Sequence, residues 1–460
     1  MTDEKTTRIR NGVVQTPQGP LEADVLVRGE RIVALLARNE VGGADREIDA
    51  DGLWVMPGII DLHAHTRVPG YEYKEDYTTS SRAAAAGGVT LFVDMPNVEP
   101  PTTTRELFME KRAIADRESV IDFGHFVAPT VLDQILPMAE AGATGYKIFQ
   151  VKGGYPHDPR LAIDDPGRLL ETFRLIERTG LPVVVHPFAQ TVFEQLSEEA
   201  FASGRPRDIW TFSDIYTRDV VWRTAVGILL DLARETGVRL HVVHTHAPTS
   251  LRMLRAAKAE GLRVSASCDP KYIHLRDIDM EEQGARAIPG GFVTKDADRM
   301  AEVWRSLDDG TIDAIDSDHA PHTLEDLKLM EKDPWTGPFG APQYDHYLAL
   351  LLTDVREGKI RLARLVELLS AAPARILGVY PERGAIRPAS IADIVLVDPE
   401  GEVVPEDAKM ESKARWTPYR GWKLTGKPVA TILRGTVIAE KGKIVQDQGF
   451  GRYVGGISQR

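Results

Sequence analysis

The sequence predicts an α/β fold: a (β/α)8 TIM-like barrel with a small β-sandwich formed from both chain termini. Three observations lead there. Strand-length apolar segments alternate with helical segments between residues 58 and 316, and their count of eight and total length suit such a barrel. Short β-type segments at the two chain ends share one character, and neither set can close a good core alone. Finally, polar side chains cluster where the internal strands end, the face on which barrels of this kind carry their active sites.

Taken in order, the N-terminal segment holds Val25–Arg28 and Arg31–Leu36 around Gly29-Glu30, a two-residue hairpin turn. The C-terminal segment echoes it with Ala430–Arg434 and Val437–Glu440 around Gly435-Thr436, and Ile394–Val397 is a further strand. The expected division is a β-sandwich from residues 1–56 plus 386–460 and a barrel over 57–385. Barrel strands are expected at 58–63, 89–94, 120–127, 145–149, 183–186, 239–244, 263–267 and 312–316. Helices are expected between them, among them 79–86, 167–179, 220–234 and 297–307. Pro334–Pro342 reads as a long loop at the barrel mouth.

At 460 residues, 43% hydrophobic and 27% charged, the chain has the composition of an ordinary globular protein with room for more than one domain. No apolar run is long enough for a membrane span, and Met1-Thr2-Asp3-Glu4-Lys5 opens no signal peptide. Cys268 is the single cysteine, which excludes an intrachain disulfide and suits a reducing cytoplasm. A net charge of −12 argues against nucleic acid as a partner. An anionic substrate would therefore need its own local positive site.

Chemistry concentrates in Asp61-Leu62-His63-Ala64-His65, directly after the apolar Val55–Ile60. Side chains alternate along a strand, so His63 and His65 project to one side, as two metal ligands would. Other strand ends carry Lys147, His186, His244 and Asp318. Imidazole and carboxylate donors suit Zn²⁺, Mn²⁺, Fe²⁺ or Co²⁺, and the lack of thiolates argues against a structural zinc. On strand alternation His241 faces away from His244 and reads as structural. His125, His157, His274 and His346 carry no motif and default to structural roles, and Cys268 to the core. His246 lies beyond His244, as either a site contact or a solvent-exposed residue.

Pro57–Gly70, with its His63-Ala64-His65-Thr66-Arg67 centre, resembles the opening motif of the amidohydrolase superfamily, in its cyclic-amide branch of dihydroorotases, hydantoinases, dihydropyrimidinases and allantoinases. Met95-Pro96-Asn97 and Asp318-His319-Ala320-Pro321-His322 resemble the dihydroorotases most closely, and Trp422-Lys423-Leu424 extends the likeness toward the C-terminus. The resemblance implies one divalent metal held by His63, His65 and Asp318 and a second by His186 and His244, zinc being the expected ion. It also implies that Lys147, carboxylated on its amine, bridges the pair. A bridging hydroxide would be the nucleophile, and Asp318 the general base and then acid. Arg67, Asn97 and His322 would bind the carboxylate of a dihydroorotate-like ring, for which a guanidinium fork has the right shape. A cyclic amide is thus the expected substrate, and a homodimer or homotetramer the expected assembly.

Some positions depart from the dihydroorotase form. Lys147-Ile148-Phe149-Gln150 is closer to hydantoinases and allantoinases, whereas Pro187-Phe188 after His186, Asp269-Pro270-Lys271-Tyr272 and Ile288–Phe292 differ in segments that would contact substrate. The rival readings are a hydantoinase, allantoinase, dihydropyrimidinase or other cyclic-imide hydrolase, and, from another class, a non-catalytic scaffold relative.

Overall fold

The structure is a computed structural model that describes residues 5–38, 40, 42–153, 157–288, 297–338 and 340–457. Its centre is an eight-stranded parallel sheet in sequential order. The strands are β1 (Ile59–Ala64), β2 (Val89–Asp94), β3 (Asp122–Val127), β4 (Gly145–Phe149), β5 (Pro182–His186), β6 (Arg239–Val242), β7 (Val264–Cys268) and β8 (Ala314–Ile315). Every residue of β1 to β5 is buried, as expected for parallel strands covered on both faces. Closure comes just beyond the short β8, where His319 bridges Ala64 in parallel and accepts a 2.8 Å hydrogen bond from the His65 N–H.

The covering helices follow their apolar spacing. In Asp219–Thr236 the buried side chains Val221, Trp222, Ala225, Val226, Leu229, Leu230 and Ala233 form one stripe, and Gly237 ends the helix at φ 71°. The helices at Tyr77–Ala86, Pro166–Glu177 and Ala297–Asp309 lie within two residues of their expected limits.

Both chain ends join one mixed ten-stranded sheet. Its seam is Trp54–Pro57, antiparallel to Ile394–Val397 with Ile394 opposite Pro57. Arg28 pairs with Arg31, leaving Gly29-Glu30 as the two-residue turn. In the C-terminal hairpin Leu433 pairs with Thr436, so the turn is Arg434-Gly435, one residue earlier than expected. Both turn residues are left-handed, at φ 47° and 73°; glycine is thereby second in the turn, and Thr436 stays in the strand.

The last described segment runs back to the barrel, where Tyr453 bridges Phe123. There the buried Asp122 carboxylate pairs with Arg434 and, at 2.6 Å, with Arg383. It also accepts the Arg452 N–H at 2.8 Å. No described helix is long and apolar enough to cross a membrane.

Candidate metal centre at the barrel mouth

The strand-end side chains converge on one buried cavity. His63 lies in β1 and His65 just beyond it, their ring centroids 5.2 Å apart. Both Nε2 atoms face Oδ1 of Asp318, at 3.5 Å and 3.2 Å. His244 packs between His63 and His186, with ring centroids 4.8 Å and 4.7 Å away. His63, His244 and Asp318 each offer a ligand atom within 4.8 Å of the others. β6 stops at Val242, two residues short of expectation, because His244 adopts φ 59°. Arg67 and Asp318 are likewise left-handed, at φ 68° and 42°. Backbone strain at these three positions is held by the surrounding fold, as is common at functional sites.

Lys147, in β4, is fully buried; its Nζ has no hydrogen-bond partner and lies 4.9 Å from the Phe149 ring. Burial, outweighing the carboxylates of Asp318, Asp316 and Asp269, pushes this amine down to about 7. Burial also keeps the imidazoles of His63, His65 and His186 neutral, with His65 lowered to about 4 and the other two far below their usual range. Burial opposes the charge on Asp318, but the Lys271 ammonium, with a hydrogen bond from His65, holds it well below the usual carboxylate range.

Surrounding groups orient the donors. His65 Nδ1 is 2.8 Å from Asn97 Oδ1 and His244 Nδ1 is 2.6 Å from Asp269 Oδ2, so each ring can donate outward and turn Nε2 to the cavity. Asp61, two residues before His63, accepts from the Ser317 N–H, the Ser317 hydroxyl and the Tyr344 hydroxyl at 2.9, 2.6 and 2.7 Å. That carboxylate fastens the Asp318 segment to β1.

The cavity, of about 40 Å³, is lined by these imidazoles and Asp318 together with Arg67, Asn97, His157, Tyr216 and Tyr272. His322 does not line it. Instead its Nε2 lies 3.1 Å from Arg67 Nη2, and Arg67 Nε donates to the Pro321 carbonyl at 3.0 Å, so His322 backs the guanidinium. His241 is held by Ser265 and Ser267, at 2.8 and 3.1 Å, and Cys268 is buried. His274 lies 2.7 Å from both the Pro270 carbonyl and Asp354, a structural role. His246 is buried, not exposed, with Nδ1 2.7 Å from the His244 carbonyl. His157 departs from its structural default, since it lines the cavity 5.7 Å from His186. Of the divergent segments, Ile288–Phe292 lies outside the described residues from Pro289 onward.

Sequence reasoning also missed Lys271, whose ammonium sits against Asp318 and 3.1 Å from Asp269. Burial would neutralise it, but those two carboxylates raise it above its ordinary value. A second cavity of about 290 Å³ shares His157 and Tyr216 with the first and is walled by Phe188, Phe193, Phe201, Phe212 and Trp335. Trp335 belongs to the Pro334–Pro342 loop expected at the mouth.

The donor set fits divalent metal: four imidazoles and an ionised carboxylate line one cavity, and buried nitrogens among these groups and beside them, His186 Nε2 and Lys147 Nζ included, have no hydrogen-bond partner.

The model of the amidohydrolase family matches residues 54–444. The chain is 32% identical to an L-hydantoinase from Paenarthrobacter aurescens, covering 97% of both chains. It is 34% identical to an allantoinase from Deinococcus radiodurans over 95% of each, and 32% identical to a dihydroorotase from Citrifermentans bemidjiense over 94% of this chain and 98% of that one. Among solved structures, the L-hydantoinase (dihydropyrimidinase) from Arthrobacter aurescens superposes with a TM-score of 0.92 at 31% identity, covering 98% of this chain and all of the other. The chain belongs to the amidohydrolase family.

Proposed function

We propose that this protein hydrolyses a C–N bond of a cyclic amide or imide at a binuclear metal centre. The observation that carries the reading is the convergence of His63, His65, His186, His244 and Asp318 at one buried cavity, with the partnerless amine of Lys147 buried 4.9 Å from the Phe149 ring that also lines it. His63, His65 and Asp318 would hold one ion, zinc by preference, and His186 and His244 the second. Lys147 as a carbamate would join them, because its amine is poised in the neutral form that captures CO₂. When bound, the ions supply Lewis acidity to the amide carbonyl and make a water acidic enough to attack it.

The chain's own residues supply the proton path and the seat for the ring. Asp318 takes the proton of the attacking water and delivers it to the departing nitrogen, which is a poor leaving group without it. Arg67 and Asn97 line the cavity wall, with His322 bracing Arg67 from behind. That guanidinium favours a carboxylated ring of the dihydroorotate type. A second reading, a hydantoinase-type ring with an apolar substituent, is favoured by the adjoining aromatic chamber. The domain limits proposed are 57–385 for the catalytic barrel and 1–56 plus 386–460 for the sandwich. A homodimer or homotetramer in the cytoplasm completes the proposal, the free Cys268 suiting a reducing compartment.

The test is turnover by zinc-loaded protein of dihydroorotate, substituted and unsubstituted hydantoins, dihydrouracil, allantoin and cyclic imides. Ring opening of at least one is expected. Failure on all of them with metal bound would reject the hydrolase reading and favour a scaffold.

A further inference from the structure

We propose that Lys271 is a positioning residue that ties the two metal-ligand sets together, fixing the Asp318 carboxylate at the expense of metal affinity. The inference rests on the metal-hydrolase reading above. β7 is followed by the short helix Pro270–His274, which carries Lys271 inward until it is 2% exposed. Its ammonium meets Oδ2 of Asp318 and lies 3.1 Å from Oδ2 of Asp269. The same Asp269 oxygen is 2.6 Å from His244 Nδ1. A continuous chain, His244–Asp269–Lys271–Asp318, therefore joins a ligand assigned to one ion with a ligand assigned to the other.

The consequence for Asp318 is a division of labour between its oxygens. Oδ1 faces His65 and His63, at 3.2 and 3.5 Å, while Oδ2 is held by Lys271. A carboxylate free to rotate would exchange the two; the ammonium prevents that and keeps one oxygen on the ligand side. The same ammonium is a fixed positive charge beside a site for dications, and like charges in a buried site repel strongly. Lys271 thus acts in opposite directions on metal binding and on turnover. A residue that merely supports the fold would lower both.

Lys271→Met and Lys271→Gln separate the two effects, since glutamine keeps a donor for Asp318 without the charge. Affinity for Zn²⁺ is read by competition with a fluorescent chelator, and turnover by kcat and KM on the best ring of the panel. Both variants should bind Zn²⁺ at least ~10-fold more tightly than wild type. Lys271→Met should lose at least ~10-fold in kcat with KM nearly unchanged, and Lys271→Gln should recover part of that loss. Zinc binding equal to or weaker than wild type, or an unchanged kcat in Lys271→Met, overturns the proposal. If Lys271→Met does not fold, Lys271→Gln decides by its zinc affinity. If no ring is hydrolysed, the function reading fails separately and the zinc competition still decides this one.

Discussion

The proposed carbamate at Lys147 can be tested directly. The amine lone pair attacks the carbon of CO₂ and one proton is released, so only the neutral amine reacts. A lysine at the ordinary 10.5 is neutral in roughly one molecule in 300 at pH 8, whereas Lys147 at about 7 is neutral in roughly nine of ten. The barrel interior therefore raises the reactive fraction by about 300-fold at that pH. Protein stripped of metal by a chelator should regain activity with Zn²⁺ only when bicarbonate is present, and ¹³C-bicarbonate should give one new carbamate carbon signal in the NMR spectrum. Lowering the pH protonates the amine, so initial capture at pH 6 should be about ten times slower than at pH 8 for the same dissolved CO₂. Lys147→Met should show neither signal nor reactivation. Full recovery in CO₂-free buffer, no ¹³C incorporation, or a rate flat between pH 6 and 8 would refute the reasoning.

Replacing Asp318 with Asn should lower kcat by at least ~10² on the scale usual for proton-transfer residues, read by steady-state kinetics on any ring that is turned over. Arg67→Ala should chiefly raise KM for carboxylated rings, and equal losses for carboxylated and uncharged rings would point to a role in folding the mouth. Asp122→Asn leaves the buried Arg383 and Arg434 without their shared carboxylate; a loss of about 3–5 kcal/mol is expected in denaturant unfolding. In the same variant, metal content per folded chain should be unchanged.

Local pattern made much of the site readable in advance. Alternation in β1 placed His63 and His65 on one side, and both reach Asp318. Lys147 lies within, and His186 ends, a strand whose residues are all buried. What escaped has no local signature. His157 enters the cavity from a loop without a motif, and Lys271 differs from a surface lysine only through the two carboxylates that fold around it. His322 looked like a substrate contact because it closes a motif, yet its ring turns behind Arg67. The aromatic chamber likewise collects side chains from residues 188–212 and from Trp335, more than 120 positions apart in sequence.

By itself the sequence determined the barrel, the β-layer built from both chain ends and which strand-end side chains are candidate metal ligands. These follow from periodicity, strand-end position and residue chemistry, which are properties of neighbours along the chain. The tertiary structure alone decided which oxygen of Asp318 faces the imidazoles, which lysine is shifted toward the neutral amine and which toward the ammonium, and what adjoins the cavity. Desolvation and charge pairing act through space in a low-dielectric interior. Lys147 and Lys271 therefore meet opposite fates through the groups that packing brings beside them.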